Sequence, residues 1–274
     1  MGFASLGSGS RGNGTLIALG CNQTEESSPD VAPAAQRLFL VDCGFTLKQT
    51  EARLHRLGLS PGDLDAIFVA HEHADHIGGI SALAHKYSID VYASYGTSKY
   101  DLKGAVVHPF DGDVGFEVDG IAVNPVRVPH DAKEPTQFVF SDGVETIGVL
   151  SDLGCITSHV VEQFTGCTHL LLEANHDPDM LRKGSYPPRL KQRVGADYGH
   201  LSNEQAWALL DRVAHQDMNV VLGHISEQNN HPQLIQRIFE AGRSRLNDLA
   251  YATQDDGFAW VGARPVARQI SFGV

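Results

Sequence analysis

A group of four potential metal ligands within six residues is the feature that most constrains this chain. His71, His73, Asp75 and His76 have the spacing His-x-His-x-Asp-His and follow a predicted strand, 65–70. Imidazoles and carboxylates bind zinc, manganese and iron, and an apolar core cannot satisfy all four side chains. A solvated histidine-rich loop is the alternative. Because a catalytic tetrahedral ion needs an open position, the pattern predicts more than one ion, with the first two histidines on one and Asp75 with His76 on another.

The charge balance limits which partners the chain can bind. Its 274 residues include 21 lysines and arginines against 33 aspartates and glutamates, which gives a net charge of −12. This acidic excess argues against a broad, non-specific nucleic-acid surface. A local basic groove is still compatible with it, and two divalent ions would add about +4 at their site.

Cysteine usage and the absence of long apolar segments predict a cytoplasmic protein. Cys21, Cys43, Cys155 and Cys167 form no Cys-x-x-Cys pair, which is typical of free thiols in a reducing compartment. The segment 1–14 is rich in glycine and serine and lacks the apolar region of a signal peptide. No run approaches the roughly 18 apolar residues that a membrane span needs. We therefore expect a soluble chain without membrane association, and the sequence leaves its oligomeric state open.

Short strands alternate with amphipathic helices along the chain. The predicted strands are 15–19, 37–41, 65–70, 90–93, 106–109, 114–118, 121–128, 136–141, 144–150, 168–173, 218–223, 249–252 and 258–261, and the predicted helices are 46–57, 77–87, 157–165, 202–215 and 232–246. Strand-rich halves followed by helices predict an α+β fold, in which two mixed β-sheets pack face to face with helices on both outer faces. No linker divides the chain, so we expect a single domain over residues 1–274. The polar segment 21–36 is predicted to be a long exposed loop.

A glycine-rich segment, 7–12, matches the Gly-x-Gly-x-x-Gly pattern of dinucleotide-binding proteins, but its context does not fit. That fingerprint needs a helix after it, whereas residues 15–19 have the character of a strand. We interpret the segment as a turn between two strands. The alternative is a nest of backbone N–H groups near an anionic substrate, with Ser8 and Asn13 as additional donors.

Three more potential ligands come within two residues of predicted strand ends: His130, Asp152 and His224. Taken singly, a histidine or aspartate at such a position is more often a cap or a turn residue. Strand ends deliver their loops to one rim of a fold, however. Together with the first motif, the three residues therefore predict one metal centre.

The order of these residues, beginning with Asp42, is similar to the five motifs of the metallo-β-lactamase superfamily over nearly the whole chain. The resemblance implies an αββα sandwich with the metal site at one edge. It assigns three histidines to one ion, an aspartate and two histidines to the other, and a carboxylate to both: His71, His73 and His130; Asp75, His76 and His224; and Asp152. Asp42 would fix the metal loop through hydrogen bonds, and an ordinary turn aspartate is the alternative.

Five other segments resemble a narrower group, the YycJ/WalJ-like branch, whose members are described as 5′ exonucleases linked to DNA repair. They are SGSRGN (8–13), HDAxEP (130–135), EANHD (173–177), GHLSN (199–203) and HISEQNN (224–230). The segment 21–36 is longer than expected for this branch.

A cluster of basic residues is the candidate nucleic-acid track. Five cations lie within twelve residues that contain no acid: Arg182, Lys183, Arg189, Lys191 and Arg193. They predict a path for a phosphate backbone, in which Arg189, Lys191 and Arg193 bind the substrate and Tyr186 stacks on a base. A solvated loop is the alternative.

Two histidines outside the ligand set are also candidates. His200 precedes a predicted helix with Ser202 as its cap, where a histidine could protonate a leaving oxygen or bind a phosphate oxygen. His176 follows a predicted strand and could contact the substrate. Simple packing roles are the alternatives for both. We expect Asp75 and His200 to act directly in catalysis.

These patterns predict a hydrolase that uses two divalent ions (zinc, manganese or iron) and a metal-bridging hydroxide to cleave phosphodiester bonds in nucleic acid. The expected enzyme is a DNA 5′ exonuclease, with DNA favoured over RNA as substrate. A hydrolase of a small cyclic phosphodiester is the first alternative. A glyoxalase-type thioesterase and a non-catalytic, metal-containing nucleic-acid-binding protein are the others.

Overall fold

The strands of the computed structural model form two sheets, and the structure describes residues 1–20, 36–100 and 102–265. The strands within these ranges are Gly2–Gly7 (β1), Gly14–Gly20 (β2), Gln36–Val41 (β3), Ala66–Val69 (β4), Asp90–Ser94 (β5), Val107–Phe110 (β6), Phe116–Val118 (β7), Ile121–Arg127 (β8), Thr136–Ser141 (β9), Thr146–Leu150 (β10), His169–Glu173 (β11), Asn219–Gly223 (β12), Asp248–Tyr251 (β13) and Phe258–Gly262 (β14). The helices are Leu47–Arg56 (α1), Ala74–Ile77 (α2), Ile80–Tyr87 (α3), Ser158–Phe164 (α4), Pro178–Lys183 (α5), Pro188–Val194 (α6), Asn203–Val213 (α7) and Pro232–Phe239 (α8), with 3₁₀ turns at Pro61–Asp63, Thr97–Lys99 and Glu240–Arg245.

Each sheet is mixed and has seven strands. The first has the order β14-β1-β2-β3-β4-β5-β6, and the second has the order β13-β12-β11-β10-β9-β8-β7. In the first sheet β3, β4, β5 and β6 are parallel, and in the second sheet β10, β11, β12 and β13 are parallel. The remaining neighbours are antiparallel. Strands that run parallel bring their carboxyl ends to the same edge of a sheet.

The space between the sheets is filled by aromatic and aliphatic side chains from both. Phe68 of the first sheet lies 5.0 Å from Phe140 and 5.7 Å from Phe138 of the second, measured between ring centroids. Leu171 and Val221 join this layer from the second sheet. The side chains of β11 alternate, because Leu170 and Leu172 point to the opposite face. Burial on both faces explains why these strands are apolar runs and not alternating sequences.

Helices cover the outer face of each sheet. Leu54 of α1 and Leu83 of α3 pack on the first sheet. Phe164 of α4, Leu209 of α7 and Phe239 of α8 pack on the second. The structure is therefore an αββα sandwich, and the predicted fold class is confirmed.

Several predicted elements differ in detail from the observed ones. The predicted helix 77–87 is interrupted, because the N–H of Gly79 bonds to the carbonyl of Cys43 at 2.7 Å and a Cβ at Gly79 would come within 1.9 Å of the Phe45 carbonyl oxygen. The proline-containing stretch before residue 194, which received no helix prediction, forms α5 and α6. Each of them carries proline in its first turn, where the missing N–H has no helical partner to lose.

The glycine segment 7–12 lies between β1 and β2, which pair as antiparallel neighbours. It is therefore a turn between strands, as predicted. Cys43, Cys155 and Cys167 are free thiols. Cys21 and nearly all of the predicted loop 21–36 lie outside the described residues. In the part of the chain that the structure describes, no helix is long and apolar enough to cross a membrane.

Candidate metal centre and catalytic pocket

Polar residues from both sheets meet at the edge where the parallel strands end. The residues that reach this edge are Asp42 after β3, the segment 71–76 after β4, His130 after β8, Asp152 after β10, Glu173 at the end of β11 and His224 after β12. All the ligands predicted from the sequence thus come from one rim of the sandwich.

Three histidines bring one nitrogen each to a common point. Nε2 of His71 lies 3.0 Å from Nδ1 of His73, which lies 3.3 Å from Nε2 of His130. Nitrogens bound tetrahedrally to one zinc ion at about 2.05 Å are about 3.3 Å apart, so the spacing fits a shared ion. Nδ1 of His130 lies 3.0 Å from the Gly199 carbonyl oxygen and can donate to it, which directs Nε2 into the group. Burial lowers the pKa of both His71 and His130, which favours the neutral imidazole that binds metals.

Asp152 lies between two further groups of ligands. Its Oδ2 is 3.0 Å from Nε2 of His76 and 3.4 Å from Nδ1 of His224. Asp152 joins His71 and His76 in one potential metal-binding group, and it joins His224 in another that also includes Glu173 and His200. One carboxylate is therefore within reach of ligands on both sides of the centre.

The donor set fits a divalent cation. Oδ2 of Asp152 and Nδ1 of His224 are buried and have no hydrogen-bond partner among the described residues. Burial opposes ionisation of Asp152, but the facing imidazoles of His224 and His76 hold its pKa well below the usual value. Buried polar atoms without partners are costly, and a cation would satisfy them.

Asp42 holds the metal loop in place. Its Oδ1 accepts the N–H of Ala70 at 2.8 Å, and its Oδ2 lies 2.7 Å from Nδ1 of His76. The second contact turns Nε2 of His76 towards Asp152. These are the hydrogen bonds that the family resemblance implied for Asp42, and they fix the tautomer of His76.

Backbone strain is concentrated at the same edge. Asp42, Asp152 and His224 have φ values of 63°, 51° and 50°, in the left-handed region that side chains other than glycine rarely adopt. Each such residue costs on the order of 1–3 kcal/mol. The packed strands before these residues impose the conformation, which directs two proposed ligands, Asp152 and His224, and the positioning residue Asp42 towards the centre.

Glu173 is a site residue to which the sequence analysis assigned no role, although it begins the segment EANHD (173–177). Its Oε1 lies 2.6 Å from Nδ1 of His200, and its Oε2 accepts the N–H groups of Leu153 and Leu201 at 3.2 Å. Burial disfavours the charged form of His200, but the Glu173 carboxylate outweighs this effect and raises the His200 pKa to about 9. A carboxylate at the end of an otherwise apolar strand was the signal that could have identified it.

A cavity of about 610 Å³ opens above this centre. Its walls include Asp75, Tyr186, Arg193 and His200. Oδ2 of Asp75 lies 3.6 Å from Nε2 of His76. Both predicted catalytic residues thus face one cavity, which is large enough for part of a polymer or a small ligand.

Ser8 and Asn13 do not have the substrate-binding position predicted for them. The Oγ of Ser8 accepts the N–H of His224 at 2.8 Å. Nδ2 of Asn13 lies 3.1 Å from Nε2 of His76 and 3.3 Å from Oδ2 of Asp75. Both side chains are buried, and they position the ligands. Sequence spacing alone could not distinguish this role from substrate contact.

His176 also lies away from the cavity. It borders a separate surface pocket of about 430 Å³, together with Ser202 and Gln205 at the start of α7. The residue is buried, and desolvation lowers its pKa. The predicted contact between His176 and substrate at the metal centre is therefore not supported by its position.

Three of the five cations in the basic run 182–193 pair with two acids outside it, which reduces its net charge. Arg182 and Lys183 pair with Asp179 at 2.9 and 3.0 Å. Arg193 forms a bidentate pair with Asp131. Asp179 precedes the run and Asp131 is distant from it in sequence, so the twelve-residue segment 182–193 contained neither acid.

The three cations predicted to bind substrate have different positions. Nζ of Lys191 donates to the Arg182 carbonyl at 2.8 Å and faces the pocket of His176. Arg189 borders a shallow depression beside the cavity, and Arg193 lies on the walls of both. These three cations therefore do not form one continuous track.

Two packed mixed sheets with a centre of histidines and aspartates at one edge define the class: a metal-dependent hydrolase of metallo-β-lactamase fold. A family model described as "Beta-lactamase superfamily domain" matches residues 37–225. The chain is 33% identical over 259 residues to exodeoxyribonuclease WalJ of Streptococcus pneumoniae, covering 91% of this chain and 88% of that protein. It is 33% identical over 241 residues to exodeoxyribonuclease YycJ of Bacillus anthracis, covering 85% of each. The chain therefore belongs to the β-lactamase superfamily and, within it, to the family of WalJ and YycJ.

A solved structure supports the fold independently. The metallo-β-lactamase fold protein YhfI of Bacillus subtilis matches with a TM-score of 0.64 at 15% identity, covering 94% of this chain and 97% of that one. At this identity the likeness shows the fold alone.

The position of Asp42 generates a prediction about metal affinity. Asp42→Asn keeps a residue type that tolerates positive φ but removes the charge that orients His76. We expect divalent-metal affinity to fall by about 10- to 100-fold, as measured by competition with a chelator. Asp119→Asn is the matched control, because Asp119 also has positive φ, at 51°, but lies on the turn between β7 and β8. Equal affinity in the two variants would contradict the role of Asp42.

Proposed function

We propose that this protein is a phosphodiesterase that uses two divalent metal ions to release nucleotides from the 5′ end of DNA. The observation that carries the proposal is the position of Asp152, whose carboxylate reaches potential ligands on both sides of the centre. A single structural ion would need neither this shared carboxylate nor an open cavity.

The proposed ligand sets follow the geometry. His71, His73 and His130 would hold the first ion, because their nitrogens already converge. Asp75, His76 and His224 would hold the second, and Asp152 would contact both. Histidine and carboxylate ligands suit zinc, manganese or iron.

When bound, two divalent ions supply a nucleophile from water at neutral pH and screen the charge on an attacked phosphate. The chain's own residues must then orient water and supply a proton. Asp75 faces the cavity and is held by Nδ2 of Asn13, so it can accept a hydrogen bond from the attacking water. When the P–O bond breaks, the leaving oxygen needs a proton.

His200 is the proposed source of that proton. Its Nδ1 is engaged by Glu173, so Nε2 is the nitrogen available to the cavity, and 20% of the side chain is exposed. The Glu173 carboxylate favours the protonated ring, which is the form that a general acid requires. Glu173 acts through His200 by orienting the ring.

Similarity to WalJ and YycJ, both named exodeoxyribonucleases, supports DNA as the substrate. The cavity opens beside a depression lined by Pro187 and Arg189, which leaves room for a chain to extend beyond the cleaved bond. This openness favours a polymer over a small cyclic phosphodiester. The Glu173–His200 pair favours catalysis over a purely structural metal site. The 5′ direction and a role in DNA repair rest on the resemblance of the sequence motifs.

The shared position of Asp152 predicts its effect on metal content. The parent should contain about two transition-metal ions per chain, and Asp152→Ala should contain about one or fewer and lose more activity than His224→Ala. Elemental analysis and turnover measure both. Asp217→Ala is the control, since Asp217 is exposed in the loop between α7 and β12. Near-normal turnover of Asp152→Ala would exclude the shared-ligand scheme.

Replacing His200 should separate proton donation from metal binding. His200→Ala should keep the parent's metal content but slow turnover by roughly 10²- to 10⁴-fold. His159→Ala, at an exposed position of α4, should behave like the parent. Loss of metal in His200→Ala would make the residue a ligand, and unchanged turnover would leave it a packing residue.

The direction of digestion tests the proposed activity itself. With metal-loaded parent protein, a 5′-labelled single strand should release labelled mononucleotide first, and a 3′-labelled strand should shorten stepwise. RNA, a cyclic phosphodiester and a thioester are assayed in parallel. The opposite order of release would exclude 5′ polarity. Much faster cleavage of the cyclic phosphodiester than of any polynucleotide would replace the proposal with the small-molecule alternative.

A further inference from the structure

Side chains hold both backbone groups of His224, a proposed ligand. The Oγ of Ser8 accepts its N–H at 2.8 Å, and Nδ2 of Asn175 donates to its carbonyl at 2.9 Å. His224 has a φ of 50°, a conformation that a residue with a side chain keeps only where its surroundings impose it. Because φ and ψ are the two soft dihedral angles of a residue, holding its N–H and its carbonyl fixes the direction in which its side chain leaves the backbone.

Asn175 also contacts the segment 224–230 through its backbone. Its carbonyl accepts the N–H of Ser226 at 2.9 Å and an N–H of the Asn230 side chain at 3.0 Å. Its own N–H donates to the carbonyl of Leu201 at 3.1 Å. The backbone of Asn175 is therefore fixed on both sides, and this keeps its side-chain amide beside the carbonyl of His224.

Two further buried asparagines hold Asn175 in this position. The side chain of Asn230 donates to the carbonyl of Ala174 at 3.0 Å as well as to that of Asn175. The side-chain amides of Asn203 and Asn230 donate to each other, at 2.9 and 2.8 Å. All three asparagines are buried. Each amide offers a donor and an acceptor, which neither a carboxylate nor an apolar side chain of similar size can do.

These asparagines belong to three of the segments that resemble the YycJ/WalJ-like branch. Asn175 lies in 173–177, Asn203 in 199–203 and Asn230 in 224–230. The proposed metal ligands and the proposed acid leave all three without a role. Their hydrogen bonds join the loop after β11, the start of α7 and the loop after β12 directly behind one ligand.

We propose that Asn175 is a positioning residue for His224 and that Asn230 and Asn203 hold it in place. The inference rests on the proposed function and deepens it, because it assigns these asparagines to one of the two ions, the one proposed for Asp75, His76 and His224. The ligands proposed for the other ion are held by different groups, such as the Gly199 carbonyl at His130. Loss of the Asn175 amide should therefore weaken one ion selectively.

The test is Asn175→Leu in the full-length protein, which is stripped of metal and titrated with Zn²⁺ in competition with a chelator. Leucine has a similar size but cannot donate to the carbonyl of His224. We expect the affinity for one ion to fall by about 10- to 100-fold and the affinity for the other to match the parent. Asn219→Leu is the matched control, because Asn219 begins β12, at the opposite end of the strand from His224.

A second variant and a spectrum distinguish positioning from a general loss of structure. Asn230→Ala removes the support of Asn175 without touching His224, and it should weaken the same ion by a smaller factor. With Co²⁺ in place of Zn²⁺, visible absorption reports the geometry around each ion. Asn175→Leu should change the absorption of one Co²⁺ and leave that of the other as in the parent. Asn230→Ala decides the question by the same two measurements if Asn175→Leu does not fold.

The outcomes that contradict the proposal do not depend on DNA digestion. Parent affinities and parent Co²⁺ spectra in both variants would overturn it. Equal weakening of both ions, together with a lower unfolding temperature, would make Asn175 a residue of the fold and would overturn it as well. A parent that binds two ions but digests no polynucleotide would exclude the proposed function, while selective weakening of one ion would still support the role of Asn175. A parent that binds fewer than two ions would overturn both.

Discussion

The hydrogen bonds of Asp42 are the constraint on which the metal centre depends. One carboxylate oxygen binds the backbone where β4 ends, and the other binds the ring of His76. A backbone bond of 2.7 Å from the N–H of Cys43 to the carbonyl of His76 strengthens the same connection. The end of β3 thereby fixes the loop that carries four ligands. Asn13 adds a contact from the turn between β1 and β2, so three strands of one sheet position a single imidazole.

Desolvation makes this arrangement costly without a cation. The sandwich buries histidines and carboxylates beside apolar layers, where Oδ2 of Asp152 and Nδ1 of His224 have no hydrogen-bond partner among the described residues. Burial alone would neutralise Asp152, yet the facing imidazoles keep it ionised. The same balance operates at His200, where Glu173 outweighs desolvation and favours the charged ring. At His71 and His130, by contrast, burial prevails and lowers the pKa, which favours the neutral ring of a ligand.

The cations around the cavity are paired with acids, which the sequence did not predict. Arg193 lies on the cavity wall but is held by Asp131, whose Oδ1 lies 3.5 Å from Nε2 of His130. Arg11 also lies on the cavity wall and pairs with Glu227 and Asp255. Both guanidinium groups are therefore shared with acids, and their attraction for phosphate is reduced.

The sequence by itself determined the two-sheet fold and predicted which residues meet at one edge, because both depend on local patterns. Apolar runs of strand length predict buried strands, and ligand-type residues within two positions of their ends predict a shared rim. Only the tertiary structure decided which polar residues serve the ligands and which face the substrate. Glu173 meets His200 across 27 residues, and Asp131 meets Arg193 across 62. Such pairs depend on how distant segments pack together. In β11, a one-residue change in alignment would turn Glu173 to the other face of the sheet.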